Sequence, residues 1–335
     1  VQVLSCMIET DQTQLNESTD DVLPIEELQN HGITMPDILK LKQYGICTIK
    51  GLSMVTKRHL SRIKGLSEPK IDRLKEVASK AVRMDFTTAI EYAAKREQVV
   101  RITTGSSDLD ALLNGGVQTM SVTEIFGEFR TGKTQICLTL CITAQLQENS
   151  KVAYIDTEGT FRPERLREIA ARFDIDQEQA LQNVICARAY NSDHQVDLLN
   201  TLSARFSDDP TYRLLIIDSV IALFRTDFIG RGELGERQQK LNIFLSRLQR
   251  MAEEYNIAVL ITNQMMSDPS ATLTFVADPK KPIGGHVLAH ASTTRIYLRK
   301  GKGETRIAKI YDSPELPENE AMYAITSGGI DNASD

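Results

Sequence analysis

The chain reads as a mostly parallel α/β core, with helices on both faces of its sheet, preceded by a small all-α lobe. Three observations carry that reading. After residue 101, apolar runs (SVTEIF, KVAYID, NVICARA, RLLIID, IAVLIT, STTRIYLRK) alternate with helical patterns, as strands of a sheet covered on both faces do. From LPIEELQNHGI to about residue 81 the pattern is instead short helices joined by glycine turns. Between the first apolar run and a helical pattern lies GEFRTGKT, residues 127–134, a phosphate-binding sequence in the strand-to-helix context it needs.

At 335 residues the chain has room for two or three domains. Hydrophobic residues make up 41%, which allows a sizeable core, and with no Trp that core must lean on aliphatic side chains. The net charge of −6 taken whole argues against nucleic acid. It is unevenly spread: residues 1–40 carry eight acids and one base, residues 57–83 nine bases and three acids, so a basic patch hides inside an acidic total. Cys6, Cys47, Cys137, Cys141 and Cys186 form no CxxC and no zinc spacing, and read as reduced thiols of a cytosolic or nuclear protein. No apolar run has membrane-spanning length and no signal-peptide pattern appears, so no membrane role is expected.

In chain order, residues 1–20 lack any period and read as a disordered acidic tail. Residues 21–82 form the helical lobe. There Gly65 makes a turn, Ser67 ahead of Pro69 gives a capping signal, and Ile71, Leu74, Val77 and Ala78 mark one helix face. Helix, glycine turn and helix with lysines around the turn resemble a helix-hairpin-helix, which offers N–H groups to DNA phosphates; the competing reading is a bundle used only for assembly. Residues 83–100 are a linker with a short helix, and residues 101–335 are the core.

Gly127, Gly132, Lys133 and Thr134 satisfy G-x-x-x-x-G-K-[ST]. The loop N–H groups would cradle phosphates, Lys133 would reach the β- and γ-phosphates, and Thr134 would ligate Mg²⁺. Asp218 ends the run LLIID at the rim where open α/β sheets bind ligands, suited to the Mg²⁺ shell. Glu158, in YIDTEGTFRPER, is placed to activate water, with Asp156 as the competing acid. Gln264 follows IAVLIT and would sense the γ-phosphate. The arrangement is of hydrolase type and needs no Ser–His–Asp or Cys–His set.

Two segments read as long loops. Residues 225–240 hold three glycines with Arg225, Arg231 and Arg237, and residues 265–286 hold three prolines. Loops of this length in a compact domain are usually functional or disordered, and basic, apolar loops suit a single-stranded nucleic-acid channel.

FGEFRTGKTQ, YIDTEGTFRPER, GRGELGERQQKL, ADPKKPIGGH and AHASTTRIYLRKGKGETRIAKIYDSPELPENEA resemble the eukaryotic RecA-like strand-exchange recombinases, from about residue 22 to the end. NQMMSDPSATLTF and ALFRTDFIGRGELGERQQKL resemble the meiosis-specific branch. The resemblance implies a RecA-like P-loop ATPase core, with ATP and Mg²⁺ as cofactors, that forms filaments on single-stranded DNA and exchanges strands with double-stranded DNA in meiotic recombination and double-strand-break repair. It implies self-assembly as a ring or helical filament, recombination mediator and accessory proteins as partners, and a place on chromosomes in the nucleus.

By that resemblance ATP is held by Gly127, Glu128, Phe129, Arg130, Thr131, Gly132, Lys133, Thr134, Gln135 and Asp218, with Arg165 beside the adenine. Glu158, Lys133 and Gln264 are the catalytic set. Arg225, Thr226, Arg231, Lys280 and Lys281 contact DNA. Thr226 stands where the family often has Val, which puts a base-wedging role at that position in doubt. FTTA resembles a polymerisation motif, with Phe86 and Ala89 burying in a neighbouring core. Asp312, Ser313, Pro314 and Pro317 of a neighbour cap the nucleotide. His290 resembles a γ-phosphate relay, though by itself it reads as a core histidine. A hexameric RecA-like helicase would lack the FTTA linker and the lobe. A mediator with a decayed ATPase is disfavoured by intact Lys133, Thr134, Glu158 and Asp218, and a small-molecule kinase by the lack of an acceptor pocket or lid.

Overall fold

A computed structural model of the chain describes residues 22–82, 84–147, 150–230, 232–267 and 280–333. The expected acidic tail, Cys6, Arg231 and residues 268–279 of the second expected loop lie outside them.

The lobe begins with a 3-10 turn, Ile25–His31, closed by Gly32 at φ 76°, a conformation that favours glycine. Four helices follow: α1 (Met35–Gln43), α2 (Ile49–Met54), α3 (Lys57–Leu60) and α4 (Glu68–Ala81). Ser67 is the N-cap of α4, as its sequence indicates, but its side chain makes no capping hydrogen bond. Ile71, Leu74 and Ala78 of α4 bury against Leu28, Ile38, Leu41 and Leu52, each large aliphatic contributing about 2 kcal/mol on burial.

A buried polar contact ties the lobe to the core. Thr48 Oγ1 accepts the N–H of Gly51 at 2.8 Å, capping α2, and donates to the buried carboxylate of Glu254 at 2.5 Å. Lys50 Nζ adds a bond to Glu253 O at 3.1 Å. Burial pushes the Glu254 carboxyl up, opposed by the Thr48 hydroxyl, and the neighbouring Cys47 thiol is pushed up to about 12.

The linker carries α5 (Ala89–Arg96), started by a reciprocal capping box between Thr88 and Glu91. Nothing on α5 is buried. Phe86 and Ile90 are 103% and 84% exposed, an apolar surface left open among the described residues.

After the short pair β1 (Arg101–Ile102) and β2 (Val117–Gln118), with α6 (Ser107–Leu112) between them, comes the main sheet. Its parallel part contains β3 (Ser121–Gly127), β4 (Lys151–Asp156), β5 (Val184–Arg188), β6 (Tyr212–Asp218), β7 (Ala258–Ser267) and β9 (Thr294–Lys300), in spatial order β9-β3-β7-β6-β4-β5. These are the six apolar runs of the sequence. The hairpin strand β8 (Lys280–Pro282) returns on β7. Helices α7 (Lys133–Thr143), α8 (Pro163–Arg172), α9 (Gln177–Gln182), α10 (Ser192–Asp208), α11 (Ala222–Asp227), α12 (Leu234–Tyr255) and α13 (Gly285–Ala291) complete the core. Two apolar clusters, one holding Ile136 and Leu140 and the other Phe244 and Leu248, lie against the sheet, which makes the mostly parallel, two-faced architecture. Among the described residues no helix is long and apolar enough to cross a membrane.

Three features differ from the sequence reading. The sheet is extended past β9 by an antiparallel meander, β10 (Thr305–Asp312), β11 (Glu320–Thr326) and β12 (Gly329–Asn332). Residues 225–240 are mostly helical: Arg225 and Thr226 stand on α11 and Arg237 on α12, leaving residues 228–233 between. Gly235 falls in the first turn of α12 and so does not break it. Gln264 lies within β7, not after it, because that strand runs on to pair with β8.

Thr48→Val removes both the α2 cap and the donor to Glu254, and is expected to cost about 2 kcal/mol in urea unfolding. Thr48→Ser, which keeps the hydroxyl, is expected to stay within about 0.5 kcal/mol of the parent. Equal stability of the two variants would show that the hydroxyl does not hold the lobe.

Candidate functional site

The carboxyl ends of β3, β4, β6 and β7 meet at one rim, where an open cavity of about 970 Å³ is lined by Lys133, Thr134, Glu158, Asp218 and Gln264. Its floor is the turn from β3 into α7. Gly132 there has φ 100°, and a Cβ on it would stand 2.9 Å from Ile325 Cδ1; a Cβ on Gly127 would stand 2.2 Å from Leu298 O. Glycine is required at both places. Thr131 Oγ1 closes the turn on Glu128 O at 2.8 Å.

Two residues the sequence reading missed pin this turn from the antiparallel extension. Tyr323 OH donates to Thr131 O at 2.7 Å, and Arg306 Nε to Arg130 O at 3.2 Å. Nearly two hundred residues separate Tyr323 from Thr131, and no local pattern announces the contact.

Lys133 Nζ donates to Gly127 O and Glu128 O, at 2.9 and 2.8 Å. Burial pulls its pKa down, while Asp218 and Glu158 favour the charged form. Asp218 is buried at the end of β6 and accepts from Thr134 Oγ1 at 2.7 Å, Tyr154 OH at 3.0 Å and Thr262 Oγ1 at 2.6 Å. Burial pushes the Tyr154 hydroxyl well up, keeping it a donor.

The two competing acids separate cleanly. Asp156 accepts the backbone N–H groups of Glu158, Gly159, Thr160 and Phe161 and pairs with Arg188 Nη1 at 3.0 Å. Its lone pairs are spent on folding the turn after β4. Glu158 is exposed at the cavity and accepts one bond there, from Gln264 Nε2 at 2.5 Å. Gln264 Oε1 in turn accepts from Arg225 Nη1 at 2.9 Å. An Arg225–Gln264–Glu158 chain thus runs from α11 across β7 to the turn after β4, at the cavity.

Other expected residues are placed less centrally. Arg165 Nε donates to Gln135 Oε1 at 3.0 Å, and its guanidinium also holds Thr326 O and Ser327 O, so it stands behind Gln135. Phe129 is largely exposed, with the Arg130 guanidinium 5.4 Å from its ring centre. Thr226 turns its hydroxyl back to Leu223 O at 3.0 Å. Lys281 is exposed on β8, and Lys280 begins that strand. His290 is exposed, with His286 6.1 Å away, and is not a core histidine. Phe86, Ala89, Asp312, Ser313, Pro314 and Pro317 do not line the cavity of their own chain.

A Rad51 family profile matches residues 95–333. The chain is 61% identical over 317 residues to the meiotic recombination protein DMC1/LIM15 homolog of Homo sapiens, covering 93% of each chain. It is 54% identical over 331 residues to the meiotic recombination protein DMC1 homolog of Lilium longiflorum, covering 97% of this chain and 94% of that one. The meiotic recombination protein DLH1 of Candida albicans is 54% identical over 317 residues, covering 93% of this chain and 98% of its own.

The contrast between the acids predicts a contrast in stability. Asp156→Asn strips charge from a buried, fully used acceptor and is expected to cost about 1–3 kcal/mol. Glu158→Gln, exposed and singly bonded, should cost less than about 0.5 kcal/mol. Chemical denaturation measures both, and the reverse order would reverse the assignment of structural and accessible acid.

Proposed function

The chain belongs to the Rad51 family, and from that membership we propose that it is an ATP-dependent DNA recombinase. It assembles on single-stranded DNA, pairs it with homologous duplex and exchanges strands in meiotic recombination and break repair, on chromosomes in the nucleus.

The observation that carries this reading is the Arg225–Gln264–Glu158 chain. It gives one polar route between a basic residue suited to a DNA backbone and a carboxylate suited to orienting water at a γ-phosphate. Lys133, drawn toward turn carbonyls, has the reach and charge to hold β- and γ-phosphates. The turn N–H groups and the start of α7 supply the cradle. The Thr134 hydroxyl and Asp218 carboxylate are hard oxygen donors, the class Mg²⁺ takes together with phosphate oxygens; bound there, the ion would neutralise phosphate charge. Among the described residues no group of three or more His, Cys, Asp or Glu forms a protein-only metal cage, and a nucleotide-shared Mg²⁺ requires none.

In this reading an attacking water would hydrogen-bond to Glu158, which would take up its proton as the water oxygen bonds to the γ-phosphorus and the bond from that phosphorus to the β–γ bridging oxygen breaks, so that ADP leaves with that oxygen and phosphate is released. Gln264 holds the carboxylate in line and shares its amide with Arg225. A DNA phosphate that draws Arg225 away frees the Gln264 carbonyl and so changes how Glu158 is held. On this reading DNA stimulates hydrolysis. Arg225, Thr226, Arg231, Lys280 and Lys281 would face the DNA, and Arg165 the adenine side. Phe86 and Ala89 would enter a neighbouring core, whose ATP Asp312, Ser313, Pro314 and Pro317 would cap. Mediator and accessory proteins are the further partners.

Lys133→Ala is expected to abolish ATP-dependent assembly on single-stranded DNA, whereas Glu158→Gln should keep nucleotide binding and lower hydrolysis by about 10²-fold or more. Radiolabelled ATP turnover and electron microscopy with single-stranded DNA read both. Normal assembly by the lysine variant would overturn the site.

Phe86→Glu should give a monomer or short oligomer that still binds nucleotide, because an unpaired carboxylate in an apolar pocket costs several kcal/mol. Light scattering tests it, and unchanged large assemblies would remove the polymerisation role.

A further inference from the structure

Beneath the site lies a buried polar chain that no step above uses. Glu124, in the middle of β3, is 0% exposed, and Arg295, near the start of β9, is 6% exposed. Arg295 Nε donates to Glu124 Oε2 at 2.6 Å. Asn263 Nδ2 donates both to Glu124 Oε1 and to Ile283 O, each at 2.7 Å. Asn263 Oδ1 accepts the backbone N–H of Gln264 at 2.8 Å. The guanidinium stands between two rings, 5.2 Å from the centre of Phe126 and 5.1 Å from that of Tyr311.

A buried ion pair is a weak source of stability, because desolvation cancels much of the attraction and a well-packed apolar pair of like volume often serves as well. What an apolar pair cannot supply is an acceptor. Asn263 needs one: its amide spans the outgoing strand β7 and the chain returning at Ile283, and the bond to Glu124 fixes which way the amide faces. Its oxygen then falls on the N–H of Gln264. The next side chain along is the one that reaches Glu158 and Arg225. Burial pushes the Glu124 carboxyl up and Arg295 opposes that; the bond from Arg295 Nε holds the carboxylate in place, and the guanidinium plane is held by Phe126, next to Gly127, and Tyr311, next to Asp312.

We propose that Glu124 and Arg295 are positioning residues, which lock the Asn263 amide and thereby set the direction in which Gln264 leaves β7 toward Glu158. The inference rests on the functional reading above, in which Gln264 couples DNA contact to hydrolysis. On that reading the pair governs the DNA-stimulated rate and not nucleotide binding.

Two double variants separate positioning from bulk stability. Glu124→Met with Arg295→Met fills the space but removes one of the two acceptors of the Asn263 amide, leaving Ile283 O alone. Glu124→Gln with Arg295→Gln removes both charges yet returns an amide oxygen to Asn263. With the full chain, kcat and KM for ATP are measured with and without single-stranded DNA, beside thermal unfolding. The methionine pair is expected to lose DNA stimulation of kcat by about 10- to 100-fold, with KM for ATP within about twofold of the parent. The glutamine pair should keep stimulation within about threefold of the parent. Full stimulation in the folded methionine pair would overturn the proposal, as would loss of stimulation to the same degree in both pairs.

If the methionine pair does not fold, Asn263→Ala takes its place, with the same loss expected and retained stimulation overturning. If the parent itself shows no DNA stimulation, the functional reading fails and amide exchange decides the positioning claim alone. Exchange at Gln264 and Ile283 should then be at least about tenfold faster in the variant lacking the Asn263–Glu124 bond than in the glutamine pair. Equal exchange would overturn it.

Discussion

Three hydroxyls converge on one buried carboxylate. Thr134 from α7, Tyr154 from β4 and Thr262 from β7 all donate to Asp218 at the end of β6. A carboxylate with this little exposure is costly unless hydrogen-bonded, so the four elements are obliged to meet where those donors reach it. That obligation fixes the start of α7 against the sheet rim and holds the glycine turn before it over the ends of β6 and β7. Lys133 adds the compensating positive charge nearby. The same cluster that satisfies the buried anion leaves Glu158 and Gln264 at the cavity surface, and the site inherits its geometry from the way the charge was buried.

The parallel half of the sheet was legible because strands buried on both faces must be apolar at nearly every position. KVAYID and RLLIID have no other soluble use, and β4 and β6 lie where those runs are. The antiparallel extension was not legible. β10 reads TRIAKIYD, with Ala308 and Ile310 buried and Lys309 between them, a run too polar to stand out as a strand. That omission hid Tyr323 and Arg306, two residues that pin the turn between β3 and α7 from outside. Glycines misled in the other direction. Gly230, Gly232 and Gly235 made residues 225–240 look like loop, yet Gly235 occupies the first turn of α12, where backbone N–H groups lack helical partners in any case.

The glycine turn after β3 was readable for a local reason: its residues are contiguous and each has one geometric task. The choice between Asp156 and Glu158 was not, because both are acids at the end of one strand. What separates them is the backbone of the turn itself, whose N–H groups all point at Asp156. Likewise Gln264 is expected from the sequence to be a sensor, but its bond to Glu158 joins residues 106 apart and its bond to Arg225 joins residues 39 apart. Contacts of this kind are properties of the folded sheet order and leave no mark on spacing.

One chain by itself leaves two surfaces unsatisfied. On the linker, Phe86 projects fully into solvent ahead of a helix with no buried side chain. At the far edge of the sheet, β5 pairs among the described residues with β4 alone, and a small apolar cavity of about 130 Å³ lined by Ile185, Ala187, Leu198 and Leu202 opens behind it. Open strand edges are normally paired or covered, and an extended segment with an aromatic anchor is the complement that adds a strand and fills a pocket. The two surfaces differ, so a contact between them is head-to-tail, and a head-to-tail contact repeats until it closes as a ring or continues as a helix. In the assembly proposed above, the segment from Asp312 to Pro317, which lies away from its own cavity, is then free to serve the next one. A nucleotide site shared in that way ties ATP to the state of the assembly, without any part of the single chain having to sense its neighbours.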